Sequence, residues 1–113
     1  MPNKDFAVDA RAQDLIAWRS EYDDATPLNE LRPRHPGVAV GVVSRMLLVP
    51  GRSLDVTVED GTGRLIATWT GRTRLPGIEL GTGLRLTGTV SQTTDGVYRM
   101  RNPEYALVAE PYA

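Results

Sequence analysis

The chain has 113 residues, with 13 Lys and Arg against 14 Asp and Glu, one histidine and no cysteine. That length fits one domain with at most an appended helix, and 11 Gly with 8 Pro among only 41% apolar residues favours short strands and turns over a helix bundle. A chain without cysteine forms no disulfide, thiol nucleophile or cysteine-based metal site, which fits a reducing, cytoplasmic interior.

The opening stretch MPNKDFAVDARAQD lacks an apolar run long enough for a signal peptide, and no segment reaches the length of a membrane span. A pI near 5.8 lies below the basic balance expected of a dedicated nucleic-acid binder. The charge is unevenly divided. Residues 1–36 hold five Lys and Arg against seven acids, whereas residues 37–113 hold eight cations against seven acids, all eight being arginine. The planar guanidinium fork suits phosphate and base faces better than an ammonium does.

In chain order, Ala12, Leu15, Trp18 and Tyr22 recur at helical spacing, with Val8 one turn earlier, so residues 9–22 read as an amphipathic helix. Asp23-Asp24 opposes the negative end of the helix dipole and stops it. Thr26-Pro27 reads as a cap followed by a first helical position, for a single turn over Leu28 to Leu31. Arg32-Pro33-Arg34-His35-Pro36-Gly37 is a linker. From Val38 to Leu48 the pattern turns to strand, with Gly41 marking a bulge or sharp bend.

After Pro50-Gly51 a second strand places Leu54, Val56 and Val58 inward and Asp55, Thr57 and Glu59 outward. A two- or four-residue connection through Asp60-Gly61-Thr62-Gly63 sets Val58 opposite Leu65 and Glu59 opposite Arg64. Leu65, Ala67 and Trp69 then face the core, while Arg64, Ile66, Thr68 and Thr70 face out. A three-residue loop would reverse every one of these directions. Leu75, Ile78 and Leu80 in the long following loop plug one end. Leu84, Leu86 and Val90 mark a fourth strand. Thr94-Asp95-Gly96 turns into a fifth over Val97 to Met100, which Asn102-Pro103 ends. The segment Tyr105 to Val108 is able to pair with an open strand edge.

Five strands with a long connection between the third and fourth fit an all-β, five-stranded Greek-key OB-fold barrel preceded by a helix, with residues 1–36 as helix and linker and 37–113 as barrel. The runs VTVEDGTGRLIATW, LGTGLRLTGTV and MRNPEY resemble the OB-fold of the wedge domain in RecG-type branch-migration helicases. They are more similar still to small stand-alone OB-fold nucleic-acid-binding proteins of actinobacteria. The resemblance covers residues 38–108 and includes no Walker-type Gly-Lys-Ser/Thr, so it implies a binding module without ATPase activity.

Arg72 and Arg74, at the end of the third strand, are candidate phosphate or base contacts, or else solvated loop charges. Arg52 and Arg64 extend the same track, and Arg99 and Arg101 lie on the last strand. Trp69 is either a stacking platform at the barrel mouth or, as the register above has it, a core residue, with Ile66 and Thr68 lying under the bases. Asp55 and Glu59 on the outward face oppose phosphate. His35, the single histidine, sits between prolines, and no spacing assembles a zinc site, a nucleophile–base pair or a dinucleotide fingerprint. The expectation is a non-enzymatic module, without metal or cofactor, that binds single-stranded or branched nucleic acid weakly and with little sequence preference. A DNA-repair or replication protein is a further expected partner, and no membrane is. The alternative is an OB-fold adaptor that contacts protein only.

Overall fold

The computed structural model describes residues 3–71 and 74–111, with the backbone alone for residues 3–9. The order of elements is α1 (Asn3–Arg19), a 3-10 turn (Leu28–Glu30), β1 (Pro36–Val49), β2 (Ser53–Glu59), β3 (Arg64–Thr70), β4 (Gly83–Gln92), β5 (Tyr98–Arg101) and β6 (Glu104–Val108). The strands run β1-β2-β3-β5-β4-β6, and an added β1–β4 ladder closes the sheet on itself. β3 and β5 are parallel, whereas the other pairings are antiparallel. This is the OB-fold barrel, its last strand interrupted at Asn102-Pro103 so that β5 and β6 pair in turn with β4.

The β2–β3 register is the expected one, with Val58 across from Leu65 and Glu59 across from Arg64. It follows from the hairpin: Asp60 accepts hydrogen bonds from the Thr62 and Gly63 amides and the Thr62 hydroxyl, and Gly61 takes φ +88°. Leu54, Val56, Val58, Leu65, Ala67 and Trp69 thereby meet Leu84, Leu86, Val90 and Met100 in one core. Each fully buried aliphatic side chain there is worth about 1.5–3 kcal/mol of transfer free energy.

β1 supplies two ladders in succession. Pro36–Val42 pairs with β4, and Val42–Val49 pairs with β2. The bulge that turns the strand lies between Val43 and Arg45, at Ser44, and not at Gly41. Gly41 serves close approach instead, since a Cβ there would stand 2.9 Å from that of Val58.

The N-terminal segment packs on the barrel. α1 spans Asn3–Arg19, beginning before and ending short of the expected 9–22. Leu15 and Trp18 are buried, and the Trp18 indole donates to the Ala109 carbonyl at 2.9 Å. Tyr22, past the helix, meets Trp18 edge to face at 5.8 Å. The Val8 side chain lies outside the described residues. α1 also settles on the hairpin, because a Cβ at Gly61 would come 2.3 Å from the Ala12 carbonyl oxygen.

The 3-10 turn is not capped by Thr26. Its Leu28 amide donates to Asp60 at 2.9 Å, so the fully buried hairpin carboxylate caps an element 32 residues away. Leu75 and Ile78 plug the barrel as expected, but Leu80 is 68% exposed, because Gly81 and Thr82 bond to Val43 and hold the loop outside the wall.

Candidate functional site

The side chains that alternate outward on β1, β2, β3 and β5 form the face of interest. Registers place Arg45 across from Thr57, Thr57 across from Ile66, and Ile66 across from Arg99, which makes one row over four strands. With neighbouring strands about 4.8 Å apart, the row is roughly 14 Å long. The next row sets Leu47, Asp55, Thr68 and Arg101 side by side.

Arg45, Arg64, Ile66 and Tyr98 line a groove of about 640 Å³, together with Glu59, Leu28 and Asn29 of the 3-10 turn, and Gly96 and Val97 of the β4–β5 loop. The N-terminal segment therefore shapes the groove as well as the barrel.

Charge on this face is arranged unequally. Asp55 is partnered by its neighbours: the Thr68 hydroxyl donates to it at 2.8 Å, Arg99 stands 3.6 Å away, and Arg99 also donates to Thr68. Glu59 and Arg64 stand opposite each other as expected, without an ion pair between them. Among the described residues, Arg45, Arg64 and Arg101 also pair with no acid. In the β4–β5 loop, the Thr93 hydroxyl holds the Asp95 carboxyl below the ordinary aspartate range, helped by the Val97 amide and the Arg99 charge.

Of the residues singled out from sequence, Arg64, Ile66 and Thr68 lie on this face, Arg64 exposed and the other two half-buried. Trp69 does not. It is 1% exposed, donates from its indole to the Pro103 carbonyl at 3.0 Å, and packs edge to face with Tyr105 at 5.8 Å. Its ring belongs to the core and offers no surface for a base.

Arg52 is exposed at the opposite end, where the Gly71 amide donates to its carbonyl, and Arg74 is exposed in the loop that follows β3. Six residues of strand separate that end from Arg64, which is about 20 Å. Arg72 lies outside the described residues. Arg45 was not among the sequence candidates. The phase of Arg45 depends on the Ser44 bulge, which only the two-versus-one pairing with β2 reveals.

Among the described residues, no three of His, Asp and Glu converge as metal ligands, and no helix is long and apolar enough to cross a membrane.

No family model matches the chain, and neither does any curated protein. Solved structures share its fold. A domain of replication protein A from Methanococcus maripaludis superposes with TM-score 0.64 at 14% identity, over 77% of this chain and 98% of that one. The p204 HINb domain gives 0.63 at 16% identity over 78% of this chain, which spans 49% of that one. The OBody AM3L09, solved bound to hen egg-white lysozyme, gives 0.63 at 18% identity over 77% of this chain and 96% of its own. A replication protein A heterotrimer solved bound to ssDNA gives 0.54 at 19% identity, over 66% of this chain and 58% of that one.

Proposed function

We propose that this OB-fold binds single-stranded or branched nucleic acid, weakly and without marked sequence preference, on the outer face of β1, β2, β3 and β5. The observation that carries the reading is the Arg45–Thr57–Ile66–Arg99 row, in which two arginines flank a small platform. Arg45, Arg64 and Arg101 would take phosphates, and Ile66, Thr57 and Thr68 would lie under the bases. Arg52 and Arg74, with Arg72 beside them in sequence, would extend the track for a longer strand. The heterotrimer solved on ssDNA and the wedge-domain resemblance support this assignment. The same reading has residues 1–36 as helix and linker on a barrel of 37–113, acting in the cytoplasm without catalysis, cofactor or metal, alongside a DNA-repair or replication protein.

Fluorescence anisotropy with labelled single strands at about 50 mM salt tests it. Two to four phosphate contacts predict log Kd changing by roughly 1.4–2.8 per log unit of salt. Replacing Arg45 and Arg64 together by Ala should weaken binding several-fold. No binding at high micromolar protein, or an unaffected double variant, refutes the site.

The OBody solved bound to lysozyme favours a second reading, a protein-binding adaptor. A pull-down treated with nuclease separates the two, since a nucleic-acid bridge dissolves and a direct protein contact survives.

A further inference from the structure

Among the described residues, the distal half of β1 is an open edge. The β4 ladder stops at Val42, and on the same side Val43 bonds to Gly81 and Thr82. From Ser44 to Val49 the strand pairs with β2 alone among the described residues. This stretch also carries three consecutive exposed apolar side chains, Met46 at 36%, Leu47 at 46% and Leu48 at 49%. Leu47 lies with Asp55 on the outer face, whereas Met46 and Leu48 lie opposite Val56 and Leu54 on the other. The edge therefore exposes apolar side chains on both faces. An open strand of this kind is a template for another strand, and between the Ser44 bulge and Arg45 on one side and Pro50 on the other, residues 46–49 carry no lysine, proline or inward charge to guard it.

We propose that the edge pairs antiparallel with the same edge of a second copy, about a twofold axis at Leu47. The sequence is self-complementary in that register. Leu47 faces Leu47 of the partner subunit, Met46 faces Leu48 of the partner subunit, and Arg45 faces Val49 of the partner subunit. The two Arg45 positions then stand four residues apart along the strands, about 13 Å, which avoids a like-charge clash. Pairing satisfies the open backbone groups of both strands and covers apolar side chains on both faces. It also produces a continuous β2–β1–β1–β2 sheet, so the outward rows that contain Arg45 join into one surface. A nucleic acid bound there would meet two adjoining copies of the site, with the gain in avidity that linked sites bring. The dimer itself does not depend on the nucleic-acid reading.

The absence of cysteine makes the register directly testable. Residues directly opposite across an antiparallel pair have Cα atoms about 4.5–5.5 Å apart, within the roughly 4.4–6.8 Å span of a disulfide. Leu47→Cys should cross-link to a covalent dimer of twice 12.4 kDa under mild oxidation, while Val49→Cys, about 13 Å from its own copy, should not. In sedimentation of the full chain, the weight-average mass should rise with concentration, and Leu47→Lys should weaken association by about tenfold or more, because two like charges then face each other. A mass that stays monomeric into the high micromolar range overturns the proposal. So do equal cross-linking at positions 47 and 49 and a Leu47→Lys variant that associates as well as the parent. Because Leu47 is half exposed, both substitutions at that position leave the core intact.

Discussion

Asp60→Ala is the substitution to which the barrel should be most sensitive. The carboxylate is fully buried and joins three parts of the chain. One oxygen accepts from the Thr62 amide at 2.9 Å, the Thr62 hydroxyl at 2.7 Å and the Gly63 amide at 3.2 Å. The other accepts from the Leu28 amide at 2.9 Å and faces the Arg19 guanidinium at 3.7 Å. Arg19 Nε is buried with no hydrogen-bond partner, so Asp60 is its compensation at longer range. Truncation leaves the Leu28 amide unsatisfied, at about 1–3 kcal/mol, and strands a largely buried cation. The sum should approach the 3–5 kcal/mol typical of breaking a buried pair from one side. A domain of this size has only about 5–15 kcal/mol in total. With a urea slope near 1.5 kcal/mol per molar, the unfolding midpoint should fall by about 2–3 M. Asp60→Asn keeps one acceptor oxygen for the turn but sets an NH2 group against the Leu28 amide and Arg19, so it should lose nearly as much. Equilibrium unfolding followed by tryptophan fluorescence is the assay. A loss under about 1 kcal/mol in Asp60→Ala would refute the view that this carboxylate ties the N-terminal segment to the barrel.

Further outcomes follow from single contacts. Gly61→Ala should destabilise more than Gly96→Ala: both sites have positive φ, but only at Gly61 would the new Cβ strike the Ala12 carbonyl, so the difference in unfolding midpoint reads the docking of α1. Arg99→Ala should weaken oligonucleotide binding more than Arg101→Ala does, because it removes one cation and also unmasks Asp55; anisotropy titrations of the two variants compare them. The Arg85 hydrogen bond lowers the Asp24 carboxyl from its ordinary value of 3.8. A depressed carboxylate contributes stability above its unfolded value and loses it as pH falls through the folded one. Stability from this pair should therefore be level above about pH 5 and decline below about pH 4. Carboxyl chemical shifts should place the Asp24 midpoint below that of an ordinary aspartate, and Arg85→Ala should restore it.

Much of the barrel was legible locally. Asp60-Gly61-Thr62-Gly63 specifies a tight turn, and a period of two then assigns each side chain of β2 and β3 to a face, which is why Ile66 and Thr68 point outward and Trp69 inward. The outward acids were legible too, but their meaning was not. Asp55 reads as a repulsive charge until Thr68 and Arg99 are seen beside it, and Arg99 arrives from a strand more than 40 residues on. Leu80 reads as core by composition, yet the Val43 contacts of Gly81 and Thr82 hold it out in solvent.

What the sequence by itself determined is therefore the set of strands, the phase of the central hairpin and the side of the sheet on which its residues lie, because turn chemistry and alternation act over a few residues. The tertiary structure alone decided three other things. The bulge at Ser44 turns Arg45 outward, the open edge of β1 leaves Met46, Leu47 and Leu48 uncovered, and Asp60 caps a turn 32 residues earlier. Each depends on a neighbour distant in the chain, and local propensity carries no record of such a neighbour.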